Sequence, residues 1–394
     1  MNDSPEPTAP AATTTSDQIQ PRLRRRLTAT VLGTCAALLI AEAALWSLDL
    51  PRFDEPHTFP SQFMLVGAPD ADGGVRHVNK PNAEIQFRYS SDPRGYFGPD
   101  RVVTHNTNSL GFRGPEFPLR VTAAESIAPT DRESTAVRIV FLGDSVTFGE
   151  GVHDQDTFVE RIGRRLQSEL GQPIEVYNFG VGGHNSSDAN WTWERYARHI
   201  DPDLVVYTFV LNDAEPGLFQ VAPGTGEPVR VARRIEARHQ KLTSPPTAWW
   251  FRSRLALWGF QAWATSQLEQ STLEYYRELN ASYSPSFGRC LDDLRSLQQM
   301  DPPLVVAIFP LLHDLASHPF RPVHLEVAAA CDECDVIDLW EPLAARAGHN
   351  TTDLWVHPTD MHPNEIAHAV AAVEIAKRLA VQLRARPTAP FSAR

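Results

Sequence analysis

Residues 137–149 read Val137-Arg138-Ile139-Val140-Phe141-Leu142-Gly143-Asp144-Ser145-Val146-Thr147-Phe148-Gly149. The run ending at Leu142 is short, apolar and β-branched, the pattern of a buried strand. Gly143 then lets the chain turn sharply, and the Ser145 hydroxyl follows the turn. A helix is predicted next, over 157–170. The same alternation runs on through the chain. Strands are predicted at 174–179, 204–210, 304–309 and 336–339, and helices at 187–199, 287–300, 322–330 and 365–383. Buried strands alternating with amphipathic helices imply a mostly parallel sheet covered on both faces, a three-layer α/β/α sandwich. No internal repeat is present.

Upstream, the character changes. Residues 49–135 hold Pro, Gly and short alternating runs such as Ala83-Glu84-Ile85-Gln86-Phe87-Arg88-Tyr89, which predict irregular β structure and loops. Further back, Arg22, Arg24, Arg25 and Arg26 precede an apolar run over 27–48. Roughly 20 such residues cross a bilayer as a helix. Glu42 interrupts the run near its far end, and Trp46 would sit at the interface. By the positive-inside rule the arginines stay in the cytoplasm, so this signal anchor places everything after Leu50 outside. A second reading is a cleaved signal peptide, with 27–40 as its core and Ala41-Glu42-Ala43 as the cleavage site; a third is a buried core helix. The first two both export the rest of the chain. Residues 1–20, rich in Pro, Thr, Ala and Ser, read as disordered. The predicted organisation is therefore a cytoplasmic N-terminus with its basic cluster (1–26), a membrane helix (27–48), an extension (49–135), a catalytic body (136–385) interrupted by an insertion (214–285), and a loose tail (386–394).

Composition narrows the function classes. An apolar fraction of 42% with 21% charged residues suits a globular body with an ordinary core. A formal net charge of -12 argues against nucleic acid as a partner, which would require a basic face. Cys35 lies in the apolar run, leaving Cys290, Cys331 and Cys334 outside it. Cys331-x-x-Cys334 reads as structural, either a local bridge or two plain thiols, because a lone CxxC is a poor zinc signal. Trp249, Trp250, Trp258 and Trp263 in the insertion could form a lid, a sugar-stacking wall or plain core; core is the default for aromatics at helical spacing.

In an open parallel sheet, chemistry collects at the carboxyl ends of the strands. After the first strand stands Ser145. After the second comes Asn178-Phe179-Gly180-Val181-Gly182-Gly183-His184, whose glycines allow close backbone approach. After the third comes Asn212-Asp213, where an amide can donate to a developing oxyanion. Before the last helix stands Asp360-Met361-His362-Pro363-Asn364, a carboxylate beside an imidazole whose tautomer it can hold. Each signal is weak alone, since serines, glycines and asparagines at such places more often make caps and turns.

Together these blocks resemble those of the SGNH/GDSL hydrolases, in which Ser, Gly, Asn and His come from four separate stretches. The resemblance covers roughly 137–383 and is strongest at the first and last blocks. It implies ester hydrolysis through an acyl-enzyme, with Ser145 as nucleophile, His362 as base and Asp360 as acid. It implies an oxyanion hole from Ser145, Gly183 and Asn212, and neither metal nor cofactor. The implied partner is an acylated carbohydrate, a lipid or a small ester. Two positions depart from the family pattern. Val210 replaces the usual glycine two residues before the asparagine, and the acid stands two residues before the histidine, where the usual place is held by Thr359. The shorter spacing occurs in acyl-transfer relatives, so an O-acyltransferase of envelope glycans remains an alternative. The stretch Asn108-Ser109-Leu110-Gly111-Phe112-Arg113-Gly114 resembles one found ahead of the first block in exported members, with no role evident from sequence. Two rivals come from other classes. One is a non-catalytic, membrane-tethered glycan-binding protein. The other is a metal-dependent hydrolase using His349, His357, Asp360 and His362.

Overall fold

The computed structural model describes residues 16–51, 64–69, 74–121, 127–129, 136–231, 235, 241–242, 244, 246–348 and 350–385. The central sheet has five parallel strands. They are β1 (Val137–Leu142), β2 (Ile174–Asn178), β3 (Leu204–Phe209), β4 (Leu304–Ile308) and β5 (Asp335–Asp338). Their spatial order is 2-1-3-4-5. The chain therefore winds outward to both sides of β1, and a doubly wound sheet opens its crevice at that switch point.

Alternation along each strand feeds two cores. Val140 and Leu142 of β1 enter one, with Val205, Tyr207 and Phe209 of β3 and Val306 and Ile308 of β4. Ile139 and Phe141 enter the other, with Leu204, Val206, Val305 and Ala307. Every one of these side chains is buried, so the strands read as continuous apolar runs. The first core is closed by the helices Ser186–Arg195, Pro285–Leu297 and Arg321–Ala330. The second is closed by Phe158–Leu170, Trp340–Ala347 and Glu365–Ala385. The three-layer α/β/α sandwich expected from the alternation is the fold observed.

Local signals explain most boundaries. Thr157 caps the helix Phe158–Leu170 by accepting from the Glu160 amide, and Gly171 ends it in the left-handed region. Such an N-cap contributes about 1 kcal/mol. The stretch expected as one helix over 187–199 is instead Ser186–Arg195 followed by a 3-10 turn, Ala197–Ile200. The N-terminal extension is β-containing, as its alternation predicts. Glu84–Arg88 pairs antiparallel with Val102–Asn106, burying Ile85 and Phe87. Two features were not anticipated. A hairpin in the insertion, Phe219–Val221 with Pro228–Arg230, joins the sheet of the extension through Phe219 and Val75. Another hairpin, Trp355–His357 with Asp360–Pro363, precedes the last helix.

The N-terminal helix runs over Ser16–Ser47. Residues 16–20 are thus helical rather than disordered, because helix once nucleated in the apolar run extends into glutamine-rich flanks at little cost. Residues 1–15 and 386–394 lie outside the described residues. The segment Leu23–Ser47 is long and apolar enough to cross a membrane, and its side chains are exposed. Met1–Phe53 and Pro245–Thr265 form one compact unit, and the remainder of the chain forms another. All four cysteines are free thiols, so the local bridge is not formed.

Candidate active site

Register brings the strand ends together. Phe141 pairs with Asn178 and Leu142 with Tyr207, so β1, β2 and β3 finish level and release their loops at one edge. Gly143 has φ +152, and a Cβ there would lie 2.2 Å from Thr147 Oγ1, so no side chain fits at the turn. The short helix Ser145–Phe148 begins immediately afterwards, capped by Asp144, whose Oδ1 accepts from the Val146 amide at 2.8 Å. Gly180 packs on this turn so closely that a Cβ would come within 2.2 Å of the Phe148 nitrogen. Asn178 fastens the same contact, donating from Nδ2 to the Thr147 carbonyl at 2.8 Å.

The Ser145 hydroxyl donates to His362 Nε2 at 2.9 Å. His362 Nδ1 donates to Asp360 Oδ1 at 2.6 Å, and the His362 amide donates to the same oxygen at 3.1 Å. This sets the imidazole tautomer, leaving Nε2 as acceptor toward the serine. Ser145 and His362, 217 positions apart, thus meet with Asp360 in one line of hydrogen bonds. Asn212 lies in the turn after β3, and its Nδ2 donates to Asp144 Oδ2 at 2.9 Å. One amide hydrogen is engaged there and the second is available. Gly183, at φ +82, stands in the loop after β2, where a Cβ would approach Leu218. Val210, at the place of the usual glycine, has extended backbone with φ -134, which any residue adopts, and its amide donates to the Asp213 carboxylate at 2.9 Å.

Of the four residues weighed as metal ligands, Asp360 and His362 meet, with Glu150 beside them, their ligand atoms within 4.8 Å of one another. His357 is bonded to Ser91 Oγ at 2.9 Å and to Thr359 Oγ1 at 2.8 Å. His349 lies outside the described residues. Thr359, at the place where the acid commonly stands, is held by His357 and does not reach the His362 ring through any recorded bond.

Sequence reasoning missed the supports of this constellation. Tyr89 donates to Asp360 Oδ2 at 3.0 Å from the buried end of the alternating run. Arg94 holds the hairpin of Trp355–His357 and Asp360–Pro363 through the Trp355 and Val356 carbonyls at 2.8 and 2.7 Å, and the start of the last helix through a two-pronged pair with Glu365. Arg113, in the stretch that had no role from sequence, is buried and donates to the carbonyls of Phe148, Gly149 and Val152, with Asp154 balancing its charge at 2.7 Å. His77 bonds the Gly182 carbonyl at 3.0 Å. The extension thus braces the loops after β1 and β2 and the hairpin that carries His362. Alternation placed Tyr89 on the buried face with Ile85 and Phe87; that its hydroxyl would meet a carboxylate 271 positions away was not readable.

Glu150 is the other unanticipated group. It is buried, set by the left-handed Gly149, and its carboxylate lies 3.8 Å from His362 Nδ1. Burial pushes the His362 imidazole down, but the carboxylates of Glu150, Asp360 and Asp144 outweigh it and hold the ring up at about 10. The free imidazole needed to accept a proton therefore forms only as pH rises toward that value. The expected pH profile of kcat/KM rises into the alkaline range, and Glu150→Gln moves its midpoint toward neutrality by about one unit or more, since one attracting charge is gone. An unmoved midpoint would show that Glu150 does not act on the ring.

A model of the GDSL-like lipase/acylhydrolase family matches residues 141–370, more than half of the 394-residue chain. The chain belongs to the GDSL-like lipase/acylhydrolase family. It is an ester hydrolase by that membership. Among solved structures, this GDSL-like acylhydrolase is similar to a two-domain esterase active on acetylated mannans, at 15% identity over 65% of this chain and 52% of that one, with a TM-score of 0.37. It therefore spans about half the length of that esterase. It is also similar to an acetyl-xylooligosaccharide esterase from Geobacillus stearothermophilus, at 15% identity over 63% of this chain and 95% of that one, TM-score 0.39. A lipase/acylhydrolase from Enterococcus faecalis is similar at 16% identity over 62% and 96%, TM-score 0.33. No curated protein matches the GDSL-like acylhydrolase.

Proposed function

We propose that this GDSL-like acylhydrolase is a serine esterase that removes acyl groups from carbohydrates outside the cytoplasm, tethered by its N-terminal helix. The observation that carries the chemistry is the continuous relay of Ser145 Oγ to His362 Nε2 at 2.9 Å and His362 Nδ1 to Asp360 at 2.6 Å. His362 takes the Ser145 proton as the oxygen attacks the ester carbonyl, and Asp360 stabilises the imidazolium. The backbone N–H groups of Ser145 and Gly183 and the free hydrogen of Asn212 Nδ2 receive the developing oxyanion, each donor lowering the barrier by about 3 kcal/mol. His362 then protonates the leaving alcohol, and water resolves the acyl-enzyme. The acylated-carbohydrate reading is supported by the activities of the mannan and xylooligosaccharide esterases to which the chain is similar. The tether reading is supported by the exposed apolar helix Leu23–Ser47 preceded by arginines.

The test uses the full chain in detergent, a fluorophosphonate probe and acetylated oligosaccharides. Covalent labelling needs a serine activated by a neighbouring base, and peptide mapping is expected to place the adduct on Ser145. Acetate is expected to appear free in solution whether or not an acceptor sugar is supplied. Transfer of acetyl to the acceptor would replace the hydrolase by an O-acyltransferase. A folded chain that takes no label would leave the glycan-binding rival standing.

A further inference from the structure

We infer that Trp249, Trp250, Trp258 and Trp263 form a second membrane-contacting surface, seated in the outer interfacial zone of a bilayer and latched to the N-terminal helix through Glu42. The inference rests on the reading that this helix crosses a membrane. Glu42 is the acid that interrupts the apolar run, and in the folded unit all its acceptor capacity is directed at one place. Its Oε1 accepts from the Arg254 amide at 2.7 Å and from Trp46 Nε1 at 3.2 Å. Its Oε2 accepts from the Leu255 amide and from Ser253 Oγ, both at 2.9 Å. The amide donors are the open N-terminal groups of the helix Arg254–Leu279, which have no partner within that helix. A carboxylate in an apolar span is tolerated when it is satisfied by such donors. Arg254 adds a guanidinium 4.7 Å above the Trp46 ring, with Asp49 at 3.1 Å, a polar and aromatic layer of the kind found at headgroup depth.

The Trp-rich segment does not fill a core, contrary to the default expectation. Trp249 is 75% exposed, and Trp250, Trp258 and Trp263 are 54%, 55% and 54% exposed, so each leaves more than half of its surface open. The rings form a connected train, Trp249 to Trp250, Trp250 to Phe251, Phe251 to Phe260 and Phe260 to Trp263, with centroids 5.5 to 6.0 Å apart. A contiguous aromatic patch of this kind marks a contact surface rather than a water-facing one. Its occupant is identified by what shares the unit, an apolar helix whose Leu32, Leu38, Leu39 and Ile40 are equally uncovered and which lipid would cover. Indoles prefer the bilayer interface, where the ring is shielded and the N–H stays wet.

The full chain is reconstituted in phosphatidylcholine vesicles whose acyl chains carry bromine at defined depths, and tryptophan emission is read. Expected is strong quenching by bromines near the headgroup, weaker quenching by bromines at the chain ends, and loss of most of the bromine-sensitive emission when the four indoles become Phe. Circular dichroism on the fourfold variant establishes that it is folded, and Trp249→Phe with Trp250→Phe alone should give an intermediate loss. Carbonate extraction separates the two readings. A chain that resists extraction while its emission ignores bromine keeps the membrane helix and overturns the surface. So does a fourfold variant quenched as strongly as the unmodified chain, or emission shielded from both bromine and aqueous acrylamide, which would assign the patch to a protein partner. A chain released by carbonate overturns both.

Discussion

His362→Ala is expected to abolish fluorophosphonate labelling of Ser145 and to lower kcat/KM on an acetylated sugar by roughly 10⁴-fold or more. Without the imidazole, the Ser145 hydroxyl keeps only Asp144 Oδ2, 3.3 Å away, as an acceptor. That carboxylate is already engaged with the Val146 amide and with Asn212 Nδ2. Its oxygens so occupied, it is poorly placed to take the serine proton, and the serine returns to the reactivity of an ordinary alcohol. The residual rate would come from the oxyanion donors and from binding. The fold should survive, because His362 lies at the surface-facing end of a hairpin held by Arg94 and Asn364 rather than by the ring itself. Retention of labelling in a folded His362→Ala chain would remove His362 from the mechanism and leave Asp144 as the base to examine.

The next largest effect is expected at the acid. Asp360→Asn should cost on the order of 10⁴ in kcat with KM little changed, as an amide at that place favours the wrong imidazole tautomer. Asp360 is buried and receives three donors, from His362 Nδ1, the His362 amide and Tyr89. An amide nitrogen facing any of them would be a donor against a donor. Asp353→Asn should change activity little, because the Asp353 carboxylate faces Asn350 at the exposed start of the hairpin. Steady-state kinetics on both variants decides the matter. A silent Asp360→Asn would transfer the orienting role to Glu150, the other carboxylate near the ring.

The sheet was readable because its strands are apolar on both faces. Val137–Leu142 supplies alternate residues to two cores, and a parallel sheet covered on both faces suits such a run. The places of Ser145, Asn212 and His362 in the fold were readable for a related reason, since each follows a strand end or precedes a helix whose position the apolar pattern sets. Tyr89, Glu150 and Arg113 were not. Their side chains act through contacts with distant or irregular backbone, and local periodicity says nothing about those partners. The insertion hairpin was missed because strands as short as Phe219–Val221 form only where another edge is waiting. The Trp-rich segment is exposed where core was the default, because helical spacing of aromatics does not say what covers them.

The bracing by the extension bears on when the site can be assembled. Tyr89 and Arg94 emerge early in synthesis, yet their partners Asp360 and Glu365 follow 271 positions later. Pairings that distant each carry the entropy cost of closing a long loop. A nascent or interrupted chain ending before the final hairpin lacks both the imidazole and its acid, and the early segments have nothing to brace. The line from Ser145 through His362 to Asp360 therefore cannot be assembled until the C-terminal part of the chain has been made and has joined the rest.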